Sequence, residues 1–337
     1  MRWLKRVLWL VAIIAVVWSG VWYAASLLLN NQITRMLADL RDEGTTIECA
    51  DQTVGGFPFR IGPRCADVRA VQSRPASGEV SLNGLVAEAS LLDPGTFHAT
   101  LDSPLAIGFG SGQLTGRWDG LNVTTDFTLD GGFELLKLTA KSMEFGDGNG
   151  AIKAALVDAQ MFPVSVNAVP TDIQTQIHLV RFSFAGLPVA TPKPVDLKTR
   201  IRLAKSYQPL VSRRVPFDVW VRSGFDLTID QLQLETPNDQ NANGLLHISG
   251  PVQVDPNGLL SGTLRIAIAN PQALQDWADV LPVQAAQGLG VLTQAVSGMG
   301  KPTQINGRQA RSVEIILERG AIKLGFITLG QIPPLRF

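Results

Sequence analysis

The chain has 337 residues, with 29 Lys and Arg balanced by 29 Asp and Glu. A nucleic-acid surface needs a basic surplus, so no nucleic-acid partner is expected. With 45% hydrophobic and 17% charged residues, the chain is also too apolar and too evenly charged for intrinsic disorder.

The balance hides an asymmetry at the N-terminus. Arg2, Lys5 and Arg6 precede an apolar run that is uncharged from Val7 to Ala25, and the next charge is Arg35. A helix rising ~1.5 Å per residue needs about 20 such residues to cross a hydrocarbon core ~30 Å thick. Residues 1–6 therefore read as a cytoplasmic flank and 7–29 as a transmembrane anchor. Trp3, Trp22 and Tyr23 fall near the two ends of the run, where amphipathic rings favour the interface. The basic flank holds the N-terminus in the cytoplasm, which predicts a single pass through the inner membrane with the bulk in the periplasm. A cleaved signal peptide is the alternative, with Ala24-Ala25-Ser26 as a site of small residues. The apolar run is longer than the usual apolar core of about 7–15 residues and favours an uncleaved anchor.

Residues 30–44 read as a helical stalk. Ile33, Met36, Leu37 and Leu40 share one helical face, and Gly44 is a natural stop. Cys49 and Cys65 follow. In an exported chain such a pair predicts a disulfide, and the rival metal or redox site lacks a CxxC and a nearby His.

Beyond the stalk, strict alternation dominates. Leu121, Val123 and Phe127 alternate with polar residues, as do Val195, Leu197, Ile201 and Leu203 against Lys198, Arg200 and Arg202. Similar periods recur at Phe225–Ile229 and Leu264–Ile268. Ile173, Ile177 and Leu179 lie on odd positions, then Val180, Phe182 and Phe184 on even ones, which predicts a bulge or bend. Asp130-Gly131-Gly132, Gly146-Asp147-Gly148-Asn149-Gly150 and Asp255-Pro256-Asn257-Gly258 are hairpin signals. A helix is predicted from Pro271, with Asn270 as a cap and Ala273, Leu274, Trp277, Ala278 and Leu281 as its apolar stripe. A second helix is predicted over 283–299. Two strands near Val313–Leu317 and Ile322–Thr328 then close the chain. The predicted class is mainly β: an anchor and stalk, then an extended antiparallel sheet, either sandwich or open groove, with one or two helices near the C-terminus. Pro188, Pro192 and Pro194 cannot sit in a central strand, which divides the exported part into residues 45–190 and 191–337, the latter with its helices around 271–299.

The sequence offers no catalytic constellation. His98, His178 and His247 are isolated, and no GxSxG, Ser-x-x-Lys or phosphate-binding glycine loop occurs. No catalytic residue, metal ligand or cofactor is predicted. His178 belongs to the polar side of its strand, beside Gln174 and Gln176. Trp118 and Trp220 read as packing residues.

Gly55-Gly56-Phe57-Pro58-Phe59-Arg60 is a compact motif in which Pro58 suits an edge strand, with Cys49 and Cys65 bracing the hairpin. This segment resembles the signature of the Gram-negative envelope family known as domain of unknown function 2125. That family pairs an N-terminal anchor with a GxPFR-like segment (here Gly56, Phe57, Pro58, Phe59 and Arg60) and a following Cys. Its C-terminal tail is matched here by Gly320, Leu324, Gly325, Gly330 and Pro333. A looser, purely architectural similarity is to AsmA-like proteins, whose bent sheets have apolar concave faces. The resemblance implies no catalytic residues. The expected function is binding of lipid or acyl chains in an apolar groove for envelope maintenance. The alternatives are a non-catalytic envelope scaffold with a protein partner and, behind it, a hydrolase with an acidic pair assembled in space.

Overall fold

The computed structural model describes residues 2–42, 44–73, 78–93, 95–109, 112–128, 132–147, 150–166, 169–185, 195–204, 217–236, 243–278 and 283–335. The chain is mainly β and forms two compact units, Met1–Asn149 and Gly150–Phe337. The division expected near residue 190 falls on residues 186–194, outside the described ones.

The first unit opens with α1, Arg2–Asp42, a continuous helix of 41 residues. At ~1.5 Å per residue it is about 60 Å long, enough for a membrane span and the predicted stalk. It ends as the glycine predicts: Gly44 has φ 92° and its N–H donates to the Arg41 carbonyl at 3.0 Å. Nine strands follow: β1 (Thr45–Ala50), β2 (Thr53–Gly55), β3 (Arg60–Cys65), β4 (Asp67–Gln72), β5 (Gly78–Ser90), β6 (Thr96–Phe109), β7 (Gly112–Arg117), β8 (Gly120–Phe127) and β9 (Phe133–Gly146). Every pairing among them is antiparallel, and β5, β6, β8 and β9 form its broad part. Alternation decides the faces. Leu85, Leu101, Leu121 and Ala140 stand opposite one another across the four strands, and so do Ala87, Ala99, Val123 and Leu138.

The second unit continues with β10 (Ala151–Val166), β11 (Val169–Ala185), β12 (Val195–Ala204), the short α2 (Phe217–Arg222), β13 (Phe225–Glu235), β14 (Leu245–Val254) and β15 (Leu260–Ala269). Then come α3 (Pro271–Ala278), α4 (Val283–Met299), β16 (Lys301–Ile305), β17 (Arg308–Glu318), β18 (Ala321–Leu324) and β19 (Ile327–Gln331). The strands β10 to β15 pair in sequence order, and β15 then pairs with β17, all antiparallel. The change of face after Leu179 is a bulge: the β11–β12 register shifts between Leu179 and Phe182, and Arg181 has φ 49°.

The DPNG turn forms as its chemistry predicts. The Asp255 carboxylate accepts from the N–H groups of Asn257 at 2.8 Å and Leu259 at 2.9 Å, joining β14 to β15. The glycine turns at residues 130–131 and 148–149 lie outside the described residues. Pro271 opens α3 as expected, and Leu274 on its stripe is fully buried. The end of the chain departs from expectation. The stretch 322–328 is a hairpin, because Gly325 takes φ 57° and turns β18 back into β19. The strand β16 was not anticipated; the dipeptide Asn306-Gly307, with φ 50° and 77°, reverses it into β17.

The core of the second unit lies on one face of this sheet. Val252, Ile266, Ile268, Val313, Ile315 and Leu317 project from β14, β15 and β17 toward Leu274 of α3 and Val296 of α4. On the opposite face the β16–β17 hairpin folds over Leu245, Ala267 and Ala269, burying Ile305 and Ala310.

Candidate functional site

Two features distinguish this chain from an ordinary β protein: a hairpin seated on the apolar helix, and a long apolar sheet face that helices cover only in part.

The hairpin is β2–β3 and its turn is Phe57–Phe59, so Pro58 sits in the turn rather than on an edge strand. Gly56 makes the turn possible. Its φ is 104°, and a Cβ there would lie 2.7 Å from the Arg60 carbonyl. The turn reaches back to the middle of α1. The Trp18 indole N–H donates to the Pro58 carbonyl at 2.8 Å, and the Trp22 indole N–H donates to the Arg60 carbonyl at 2.8 Å. Phe57 meets Trp22 edge-on at 5.5 Å between ring centres, and Phe59 lies 6.4 Å from Trp18. Cys49 and Cys65 are bonded, Cα–Cα 5.3 Å, joining β1 to β3 behind the hairpin as predicted. On the outer face, Glu88 of β5 receives Arg64 at 2.5 Å and Arg60 at 3.7 Å. Of the flanking residues, Trp3 is exposed on α1, whose apolar window contains no fully buried residue. Lys5 and Arg6 lie on the same helix and are exposed.

The apolar face is set by register. Val157, Leu179, Leu197, Leu234, Leu246 and Ile268 stand opposite one another across β10 to β15. The next rows along the same face carry Ile177 and Thr199, then Ile201 and Ile229, then Leu203 and Leu227. The helices α3 and α4 pack on β14, β15 and β17 and seal that end. Over β11 and β12 the same face is half-buried: Ile173, Ile177, Leu179, Leu197, Ile201 and Leu203 are neither sealed nor fully exposed.

The family model described as "Uncharacterized protein conserved in bacteria (DUF2125)" matches residues 22–333. The chain belongs to this family. No curated protein and no solved structure matches it. The DUF2125 match spans both units, and the C-terminal residues singled out in the sequence form a clasp. Gly320, at φ 87°, donates its N–H to the Leu260 carbonyl at 2.8 Å and accepts from Ile332 N–H at 2.8 Å. Leu324 packs on the core, Gly325 makes the final turn and Gly330 pairs with Ile322. Pro333 follows β19 as the tail returns to the DPNG turn, where Leu335 N–H donates to the Gly258 carbonyl at 2.9 Å. These residues hold the end of the chain.

The polar face holds the histidines of the second unit. His178 stands opposite Asp158 and Lys198, in a cavity of about 270 Å³ that also takes in Gln160, Gln176 and Arg200. Among the described residues, Asp158 is the one carboxylate lining it. His247 stands opposite Gln233, whose side-chain carbonyl accepts from Gln231 at 3.0 Å and Asn306 at 3.2 Å. Burial holds the His247 imidazole below its ordinary pKa. Among the described residues no three His, Cys, Asp or Glu side chains group as a metal site. Trp118 and Trp220 are buried, and the Trp118 indole donates to the Leu101 carbonyl at 2.7 Å. The docking of the hairpin on α1 was missed in the sequence. Its only signal was that Trp18 and Trp22 lie one turn apart on a helix, as Phe57 and Phe59 flank one proline.

Proposed function

We propose that this DUF2125 protein is an inner-membrane-anchored periplasmic protein that holds acyl chains of lipids against the apolar face of its second sheet, in the service of envelope maintenance. One observation carries the reading: the half-buried apolar rows of β11 and β12 continue the face that α3 and α4 seal over β14–β17. An apolar surface left part-open gains about 25 cal/mol for each Å² that a hydrocarbon chain removes from water. The α1 helix supports the reading, because a helix long and apolar enough to cross a membrane would tether the chain to a reservoir of such chains. The basic flank Arg2, Lys5 and Arg6 supports the orientation with the bulk outside the cytoplasm.

The test is a photoreactive fatty acid or phospholipid added to the full chain in bilayer discs, with the adducts mapped by mass spectrometry. Adducts are expected on the β10–β13 peptides, and the double substitution Ile177→Asp with Leu197→Asp should abolish them while the α3–α4 core stays folded. Labelling spread evenly over the exported surface, or absent from β10–β13, would remove the acyl-binding reading.

A further inference from the structure

The hairpin docks on the stretch of α1 that a membrane span would carry inside the bilayer. The hydrocarbon core takes about 20 residues of helix, so a span beginning at Val7 reaches its outer boundary near Ser26. Trp22 and Trp18 lie four and eight residues before that boundary, about 6 and 12 Å inside it at ~1.5 Å per residue. The two indoles hold the carbonyls of Arg60 and Pro58. A loop fixed to those rings is carried to the same depth.

We propose that the Phe57–Phe59 turn is a second membrane contact, inserted into the outer half of the bilayer that α1 crosses. The proposal rests on α1 spanning that bilayer. Three properties of the loop fit lipid rather than water. First, its apolar side chains are unburied although they lie beside protein: Phe57 and Phe59 are each 54% exposed, and Leu92, in the turn next to Phe59, is 72% exposed. The Leu91 N–H donates to the Phe59 carbonyl at 2.9 Å, which ties that turn to the hairpin. Second, four carbonyls of the loop and its base are paired by neighbouring protein donors. The carbonyls of Gly56, Pro58, Phe59 and Arg60 accept from Arg60 N–H, Trp18, Leu91 N–H and Trp22 respectively. Pro58 brings no N–H to satisfy. Non-helical backbone survives at membrane depth only when its polar groups are paired in this way. Third, the charge sits at the base of the loop. The Arg60 side chain leans from the tip toward Glu88, and Arg64 joins it there, so two guanidiniums share one carboxylate. Both arginines are about half exposed, which leaves positive charge where phosphate headgroups lie.

The same end of the sheet carries further rings. By register, Ala89 stands opposite Phe97, and Phe127 opposite Phe133, at the end where β3 begins and β5 ends. Phe97 and Phe127 are partly exposed and meet at 5.9 Å between ring centres. They extend the aromatic margin that interfaces favour.

The experiment places p-benzoylphenylalanine, one site at a time, at Phe57, Phe59, Leu92, Trp9 and Gln113 of the full chain in phosphatidylethanolamine–phosphatidylglycerol vesicles. Irradiation should give at least tenfold more phospholipid adduct at Phe57, Phe59 and Leu92 than at Gln113, which is exposed on β7. The unsubstituted chain, irradiated with diazirine phospholipids, should carry label on the peptide holding residues 56–60. Adducts at Trp9 with none at the hairpin sites, or hairpin adducts to protein instead of lipid, would overturn the insertion and leave the anchor standing. No adduct at Trp9 would overturn both, because α1 would then not be in the bilayer.

Discussion

The two units stabilise long antiparallel sheets by different means. In the first, few apolar side chains are sealed: Ile61, Leu82, Trp118 and Ala140 among the described residues. That unit is held by cross-links instead, namely the Cys49–Cys65 bridge, the Glu88 pair of arginines and the indole bonds to the hairpin. In the second, α3 and α4 close one sheet face, and Leu274, Val296 and Ile268 are almost completely inaccessible. A sheet with one free face needs something to cover it or something to brace it. Covering gives stability through burial, and bracing leaves surfaces open.

The largest expected effect is on the covered unit. Leu274 is fully buried against β14 and β15, so Leu274→Ala removes its transfer energy and leaves a cavity, a loss of about 3 kcal/mol. Hydrogen exchange should quicken across β14, β15 and β17 and stay unchanged in β5–β9. Equal quickening in both units would mean that they unfold as one, and the contrast between them would fail.

Next comes the braced unit. The Cys49–Cys65 bridge spans a sequence separation of 16. On the chain-entropy account a loop of this size is worth about 3 kcal/mol, with strain reducing the realised value. Mild reduction, or the double substitution Cys49→Ala with Cys65→Ala, should therefore loosen β1–β4 and the hairpin first. Limited proteolysis after reduction should cut near residues 50–60 before it cuts β14–β17. A cut appearing first in the second unit would show that the bridge is not what braces the first.

These elements were unequally legible in the sequence. The strands were legible because a half-covered sheet enforces a period of two, and the slip after Leu179 announced the bulge at Arg181. The bridge was legible because only two cysteines exist in the chain and neither sits in a CxxC. Asn306-Gly307 was a readable hairpin signal that passed unused, which is why β16 was missed. Gly325 was harder: inside an apolar stretch, nothing local separates a glycine that continues a strand from one that turns it. The seating of the hairpin on α1 was not legible at all. Trp18 and Pro58 are 40 residues apart, and Pro58 taken alone already had a local reading, as an edge-strand proline. The apolar faces were foreseen, but how far helices would cover them depends on where α3 and α4 fall, which periodicity does not encode.

A smaller effect probes the bracing one bond at a time. Trp18→Phe and Trp22→Phe keep an aromatic ring but remove the indole donors, leaving the Pro58 and Arg60 carbonyls unpaired. Each should cost about 1 kcal/mol, the net worth of an ordinary hydrogen bond, with more when the loop lies in lipid. The comparison of detergent-solubilised with vesicle-embedded chain is therefore informative. A greater loss in vesicles is expected, and an equal loss would place the turn in water.

The smallest effect belongs to the covered unit and reads out through pH. His247 stands on the polar face under the β16–β17 hairpin, opposite Gln233, and its Nδ1 is buried with no hydrogen-bond partner among the described residues. Burial disfavours the imidazolium, so the folded pKa lies below the ordinary imidazole value. The unfolded chain then binds the proton more readily than the folded one. Stability from this group is complete above about pH 6.5 and declines as pH falls from there to the lower folded value, below which the loss is constant. The second unit's melting temperature should drop across that window, and His247→Asn should flatten the drop while leaving the first unit's midpoint alone. A slope that survives the substitution would assign the titration to another group and leave the polar layer beneath Asn306 without a role in the pH response.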